Sequence, residues 1–109
     1  MKRISVKEVE KILEEKGNLI KVDLRFVDLH GAYLHKNFCG ADLRFADLRG
    51  ADLRNTELNL IDLRFADLRG ANLRGTELNL ADLRFSDLRG TILPETKTDG
   101  ANFCFSARD

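Results

Sequence analysis

The side chains of this chain that most readily take part in catalysis or metal binding are two histidines and two cysteines. His30 and His35 have no serine or cysteine nucleophile at a recognisable spacing, and no further ligands at a metal-binding spacing. Cys39 and Cys104 form neither a C-x-x-C pair nor a disulfide framework, so we expect two free thiols in a reducing compartment. These residues predict no catalytic site, no metal site and no cofactor.

The charged residues set further bounds on function. The 109 residues carry 18 basic and 18 acidic side chains, so no net field attracts the chain to nucleic acid or to an anionic membrane. The sequence contains no glycine-rich phosphate loop and no H-E-x-x-H motif. No apolar run has the length of a signal-peptide core or a membrane span, so a cytoplasmic location is expected. We therefore expect a protein that is not an enzyme and has no small-molecule substrate.

The strongest pattern is a repeat of five residues that starts clearly at Ala41. A large apolar residue holds the third place of each quintet, except at Thr98, and a small or β-branched residue holds the first. With a period of five, the leucines of an α-helix would be spread around the helix, and those of a flat strand would lie on alternate faces. Neither element could bury the leucines together. Each quintet is therefore predicted to be a short extended segment followed by a corner, with its first and third residues inward.

A second period of twenty residues shows that four quintets close one coil. Residues 41–60 and 61–80 differ only at the position pairs 41/61, 52/72 and 55/75. Equivalent sides of successive coils are expected to stack at the strand spacing of roughly 4.8 Å. The third-place residues then form the core, and they are Leu24, Leu29, Leu34, Phe38, Leu43, Leu48, Leu53, Leu58, Leu63, Leu68, Leu73, Leu78, Leu83, Leu88 and Leu93.

The tandem A(D/N)LXX motif resembles that of the pentapeptide-repeat family over residues 17–105. The resemblance implies an all-β fold, a right-handed quadrilateral parallel β-helix whose fifth-place side chains point outward. The segment Ala32-Tyr33-Leu34-His35 has only four residues, so a one-residue deletion is expected near 35–36.

The two ends of the solenoid differ. Residues 1–16 are predicted to form a helix that caps the first coil, because Ser5 and Glu8 make a capping box and Gly17 fits a left-handed stop. At the other end, residues 106–109 are predicted to be a tail. Either the quintet 96–100 loops over the exposed coil, or a second molecule covers it. Because relatives that resemble this chain often dimerise through their C-terminal coils, Phe103 and Phe105 are the candidate homodimer end.

The most distinctive surface feature is an aromatic column at the fifth places of one side. Leu60 and Leu80 hold the preceding corner. Two interpretations remain open: a structural ladder of stacked rings, or an apolar strip that binds a partner. The column consists of Phe26, Phe45, Phe65, Phe85 and Phe105.

These patterns predict a non-catalytic structural or protein-interaction solenoid with an unidentified protein partner, a homodimer, or both. The alternative implied by the resemblance is a DNA mimic that binds DNA gyrase, as in the quinolone-resistance group. The arginines beside the aspartates and the small number of coils argue against that alternative, and the same pairing argues against direct nucleic-acid binding.

Overall fold

The computed structural model describes residues 4–94 and 97–109. It contains one helix, α1 (Val6–Lys16), followed by a chain that winds into coils. The coils pair through isolated parallel β-bridges, and no longer strand occurs among the described residues. The molecule measures 35 × 25 × 19 Å along its principal axes. None of its described helical segments is both long and apolar enough to span a membrane.

From residue 22 onward nearly every quintet contributes one bridged residue, its second, to the stack of coils. Asp42 pairs with Asp62, and Asp62 pairs with Asp82. The N–H of Leu43 donates to the carbonyl of Asp62 at 2.8 Å, and the N–H of Asp62 donates to the carbonyl of Ala41 at 3.0 Å. The same pairing recurs on all four sides of the coil. The twenty-residue period of the sequence is therefore the period of the backbone hydrogen bonds.

The register of the bridges changes at the predicted short corner. Tyr33 pairs with Asp52, an offset of 19 residues, whereas Asn37 pairs with Glu57, an offset of 20. One residue is thus missing between Tyr33 and Asn37 relative to the later coils. The His35 ring stacks on that of Tyr33 beside this corner, with centroids 3.9 Å apart.

The interior is filled by the third-place and first-place side chains. Every third-place residue predicted to form the core is buried except Leu93, which is only partly buried. Leu93 packs against the core, but one side of it is left exposed because no described residue from a following coil stacks on it. Thr56 and Thr76 are buried at first places, where each hydroxyl donates to the carbonyl three residues earlier. These polar groups are thereby satisfied inside an apolar core.

The corners have a backbone conformation that the sequence did not reveal. The N–H of Ala46 donates to the carbonyl of Leu43 at 3.0 Å, which closes a turn around Arg44 and Phe45. Phe45 has φ of +62°, as the third residue of a type II turn requires. Gly50 adopts +65° at the next corner at little steric cost. A phenylalanine in this region costs about 1 kcal/mol or more, so its other contacts must offset that strain.

Helix α1 is fixed at both ends and packs on the solenoid. The Ser5 hydroxyl accepts the Glu8 N–H at 3.2 Å, and Gly17, with φ of +75°, donates its N–H to the Leu13 carbonyl. Val9 is 2% exposed and belongs to the same core cluster as the repeat leucines. Ile12 also packs against that cluster.

The C-terminal end departs from the predicted boundary at residue 105. Ala107 bridges to Asp87, and the Leu88 N–H donates to the Ala107 carbonyl at 2.8 Å. The solenoid therefore continues into residues predicted to be a tail, because backbone pairing does not need the third-place leucine that this segment lacks. Residues 97–100 also stay in the ladder, since the carbonyl of Lys97 accepts the N–H of Leu78. This part of the quintet 96–100 does not loop over the end; Thr96 lies outside the described residues.

Candidate functional site

The predicted aromatic column forms a continuous stack of rings, here called the aromatic edge. Successive ring centroids lie 5.0 to 5.1 Å apart, with planes 3° to 10° from parallel. This spacing matches the distance between coils, because each ring projects from an equivalent corner. Every phenylalanine in this stack also has the strained positive φ of the corners. The aromatic edge consists of Phe26, Phe45, Phe65, Phe85 and Phe105.

The rings of the aromatic edge are stacked but not buried. Phe45, Phe65 and Phe85 are 47% to 49% exposed, and Phe105 is 79% exposed. Stacking covers the two faces of an interior ring and leaves its outer rim in solvent. The edge is therefore both a ladder and an apolar surface.

A second apolar edge lies one corner away. Leu60 and Leu80, here called the leucine edge, are 61% and 62% exposed at the preceding corner. The side of the coil between the two edges is here called the first face, and it carries the second-place and fourth-place residues of quintets such as 61–65. An apolar rim thus borders this face on two sides.

The first face itself is a ladder of paired charges. The Arg64 guanidinium donates to both carboxylate oxygens of Asp62, with Nε 2.9 Å from Oδ1 and Nη2 2.7 Å from Oδ2. The same Arg64 Nε lies 3.6 Å from Oδ2 of Asp82 in the next coil. Arg25, Arg44 and Arg64 each lie near the carboxylates of two coils in this way, and they offset the repulsion between those carboxylates.

The aspartates also fix the corners, which the sequence analysis did not foresee. Oδ1 of Asp62 accepts the backbone N–H of Arg64 at 3.2 Å, and Asn72 makes the same bond to Arg74 at 3.1 Å. Aspartate and asparagine commonly cap their own backbone two residues onward. That local preference was a usable signal, because only these two residue types stand two places before the arginines of residues 25–89.

The ion pairs hold the carboxyl groups in their charged form. The Arg49 side chain donates to Asp47 and lowers the pKa of that carboxyl to about 2, with a second contribution from the Arg49 backbone N–H. The Arg89 guanidinium likewise lowers the pKa of Asp87 to about 2. The carboxylates of Asp47 and Asp87 therefore stay ionised far below neutral pH.

Replacing Asp67 tests which of its two roles matters more. We expect Asp67→Ala to lower the free energy of unfolding by about 1 kcal/mol, because the N–H of Arg69 loses its acceptor. Asp67→Asn keeps that acceptor and is expected to cost less than about 0.5 kcal/mol, since exposed ion pairs contribute little. Urea unfolding measures both; equal losses in the two variants would show that the charge, not the turn, is what stabilises the corner.

The histidines and cysteines do not assemble a catalytic site among the described residues. His30 Nδ1 lies 2.6 Å from Oδ1 of Asp28, and these two side chains and Asp47 bring possible ligand atoms within 4.8 Å of one another. The sequence alone does not reveal this grouping, because Asp47 comes from the next coil. However, Arg49 already holds the Asp47 carboxylate, so the group is not shaped for a cation. Burial raises the pKa of the partly buried Cys39 thiol, the opposite of an activated nucleophile.

The predicted dimer end is partly covered by the chain itself. Phe103 is partly buried, and the Arg108 guanidinium lies 4.5 Å from its ring centroid in a cation–π contact. Phe105 remains exposed, with one face on Phe85. This contact of Arg108 was not predicted, because residues 106–109 were expected to be a tail.

Comparison with known proteins agrees with this architecture. The family model for pentapeptide repeats matches residues 18–59 and 56–93, in 8 copies. No curated protein sequence matches significantly. A pentapeptide repeat protein from Nostoc is 30% identical, with all of both chains covered and a TM-score of 0.52.

Two further solved structures belong to the same class. A pentapeptide repeat protein from the thylakoid lumen of Arabidopsis thaliana is 26% identical, with a TM-score of 0.54; the alignment covers 84% of this chain and 63% of that one. HetL, a pentapeptide repeat protein from Nostoc involved in heterocyst differentiation regulation, is 26% identical over 83% of this chain and 52% of its own, with a TM-score of 0.45. The family model matches more than half of the chain, and this match shows that the chain belongs to the pentapeptide-repeat family.

Proposed function

We propose that this chain is a non-catalytic interaction solenoid that binds another protein through the first face and its two apolar edges. The observation that carries the proposal is the exposure of the aromatic edge, where about half of each interior ring faces solvent. Soluble proteins rarely leave a continuous apolar strip uncovered unless a partner uses it. Aromatic side chains are also enriched where interfaces concentrate their binding energy.

The shape of the surface favours a protein partner. The aromatic edge and the leucine edge supply two parallel rows of apolar contacts, and the Asp–Arg ladder between them supplies polar contacts. A hydrophobic contact area mixed with satisfied polar groups is the usual composition of a protein interface. Because the ladder is self-neutralised, the apolar rows rather than net charge would select the partner.

The filled interior supports a non-catalytic role. The cavity among the core leucines, beside Phe38 and Ile61, has a volume of about 10 Å³. Pockets for small-molecule substrates usually measure several hundred Å³. This cavity among the described core residues is therefore too small to hold such a substrate.

The finer features of the fold belong to the same proposal. Solenoids of this family are right-handed quadrilateral β-helices, and we assign that handedness to this chain. We also assign helix α1 the role of a cap, because Val9 enters the core and Leu13 packs beside it. A cytoplasmic location and a homodimer through the C-terminal coil remain our predictions from the sequence.

The alternative function, mimicry of DNA toward gyrase, requires a strongly negative face. On this solenoid the carboxylates of Asp42, Asp62 and Asp82 each lie 2.7 Å from an arginine nitrogen. A surface with paired charges does not reproduce the unpaired phosphates of a duplex. The geometry therefore favours protein interaction of the ordinary kind.

Replacing Phe45, Phe65 and Phe85 together by glycine tests the proposed surface. Their φ values of +61° and +62° suit glycine, so the corners are expected to keep their conformation while the rings disappear. A partner that is isolated with the unaltered protein, and then purified, is expected to bind the triple variant at least tenfold more weakly. Calorimetry measures the affinity, and circular dichroism checks the fold.

Asn55→Gly, at an exposed corner away from both edges, is the matched control and is expected to bind normally. Sedimentation of each protein separates loss of a partner from loss of a homodimer. Unchanged affinity in the triple variant would contradict the proposed surface. Unfolding of the triple variant would show that the rings serve the ladder rather than a partner.

A further inference from the structure

The first face is flat along the solenoid axis. Adjacent strands of an ordinary sheet are rotated by about 20° to 25° relative to one another. The rings that border this face depart from parallel by only 3°, 5° and 4° between successive coils from Phe26 to Phe85. Because each ring projects from an equivalent corner, these small angles indicate that the coils stack almost without rotation. Such a face can lie flush against another flat face over several coils.

The first face presents its side chains as columns in a fixed order. In the coil that contains quintet 61–65, the order from the leucine edge to the aromatic edge is Leu60, Asp62, Arg64 and Phe65. The aspartates bridge from coil to coil, so each column runs along the solenoid. One acidic column therefore lies beside one basic column. The acidic column is Asp23, Asp42, Asp62 and Asp82, and the basic column is Arg25, Arg44, Arg64 and Arg84.

This order makes the face complementary to itself in one orientation. A twofold axis parallel to the solenoid reverses the order of the columns across a face-to-face contact between two copies. The acidic column of each copy then lies opposite the basic column of the other, and Leu60 lies opposite Phe65. A twofold axis perpendicular to the solenoid instead places aspartates opposite aspartates and arginines opposite arginines. The charges thus favour the parallel arrangement and oppose the antiparallel one.

The repeat extends this complementarity over several coils. Successive rings of the aromatic edge are 5.0 Å apart from Phe26 to Phe85, and a second copy has the same spacing. When one coil of each copy is aligned, the next coils are therefore aligned as well. Leu80 then lies opposite Phe85 in the same way as Leu60 lies opposite Phe65.

We propose that the partner of the first face is a second copy of this chain, packed side by side with its solenoid axis parallel. The inference rests on the proposed function, because it names the partner of the same surface. The apolar edges supply the contact energy, since Leu60 and Leu80 are 61% and 62% exposed and cover the rims of opposite rings. Each aspartate enters the contact already paired with its own arginine, so the charge columns mainly select the orientation.

Sedimentation equilibrium from micromolar to millimolar protein tests the dimer. The unaltered protein is expected to form a dimer whose dissociation constant rises about tenfold or more in the triple variant Arg44→Gln, Arg64→Gln and Arg84→Gln, because the acidic columns lose the opposite charges. The matched control has the same change of net charge on the neighbouring side and should dimerise normally. It carries Arg49→Gln, Arg69→Gln and Arg89→Gln. Circular dichroism checks the fold of both variants.

Chemical cross-linking tests the orientation. Cys39 and Cys104 are first replaced by serine, and Leu60→Cys and Phe65→Cys are then made in separate preparations. A short bis-maleimide reagent is expected to link the mixture of the two preparations more efficiently than either preparation alone, because Leu60 of one copy faces Phe65 of the other. In an antiparallel pair the Leu60→Cys protein alone would be linked more efficiently than the mixture.

Three results would overturn the proposal. They are a monomer at all concentrations, a dimer that the two arginine sets affect equally, and preferential linking of Leu60→Cys to itself. A dimer through the C-terminal coil would give the second of these results, because neither arginine set lies in that contact. The proposed function is judged separately, by the affinity of the triple glycine variant for a purified partner of different sequence. Loss of that affinity in a protein that sediments as a monomer would support the interaction surface and contradict only the second copy as its partner.

Discussion

Truncation of Leu63 to alanine is expected to lower the free energy of unfolding by about 3 to 5 kcal/mol. Leu63 is 1% exposed at a third place, and equivalent leucines of the preceding and following coils, Leu43 and Leu83, are as deeply buried. The substitution removes apolar contacts and leaves a cavity that the neighbouring layers cannot easily fill. Each coil is held by its own ladder of hydrogen bonds, so the backbone cannot collapse inward. Urea unfolding followed by circular dichroism measures the loss.

Leu93→Ala is the matched comparison for this result. The same three carbon atoms are removed from a third place, but Leu93 is only partly buried and borders a surface cleft beside Arg74. The expected loss is about 1 kcal/mol, because less apolar surface returns to water and no closed cavity forms. A loss at Leu93 as large as at Leu63 would contradict the assignment of the core to closed interior layers.

The core and the coil length could be predicted from the sequence because they follow from spacing alone. A period of five excludes a single helix or a flat sheet, and the near-identity of 41–60 and 61–80 sets four sides per coil. The stacking of the bridges at Asp42 and Asp62 follows from that period. The missing residue before Asn37 was also visible as a four-residue segment.

The backbone conformation of the corners was harder to predict, because residues with opposite φ preferences occupy equivalent corner positions. Glycine at Gly50 and Gly70 indicates positive φ, but Phe45 and Leu60 at equivalent places favour ordinary negative φ. The fold imposes one conformation on all of them, since every corner must turn the chain in the same way to keep the coils in register. The phenylalanine rings that stack on one another come from successive coils. The conformational preferences of neighbouring residues in the sequence therefore do not predict this stacking.

The surface cleft beside Arg74 could not be predicted from the sequence, because its lining residues come from two different coils. The sequence shows Asn72 in place of an aspartate and Pro94 in place of an arginine, but these residues are twenty-two positions apart. Only the stacked structure places both at one corner. Likewise, Arg108 was predicted to belong to a tail. The β-bridge between Ala107 and Asp87 instead extends the solenoid, and the Arg108 guanidinium lies over the Phe103 ring.

Acidification from about pH 4 to about pH 2 is expected to destabilise the solenoid steeply. Arginine or histidine side chains that donate to the aspartates lower the pKa of Asp23, Asp28, Asp42, Asp47, Asp52, Asp67, Asp82 and Asp87. In the unfolded chain these carboxyl groups titrate near 3.9. Below about pH 4 the unfolded state therefore binds more protons than the folded state. As the pH is lowered through that range, the free energy of unfolding decreases.

The stabilising contribution of these carboxylates is complete above about pH 4 and is lost as the pH falls through the folded-state values, about 2 for Asp47, Asp52 and Asp87. Protonation also leaves the stacked arginines unscreened by their carboxylates, so repulsion between successive coils increases. Thermal unfolding at a series of pH values measures the effect as a fall in Tm.

A variant without titratable carboxyl groups in one column of aspartates distinguishes the effect of the ion pairs from general acid denaturation. Asp47→Asn, Asp67→Asn and Asp87→Asn together keep the side-chain acceptors for the corner N–H groups and remove three ionisable groups from one column. Because the pH slope of stability follows the difference in bound protons, the triple variant should lose less Tm between pH 4 and pH 2 than the unaltered protein. At pH 7 it should be slightly less stable, since three arginines have lost their partners. An identical slope in both proteins would show that the ion-pair ladder does not govern acid stability, and the charge pairing of the surface would then serve solubility alone.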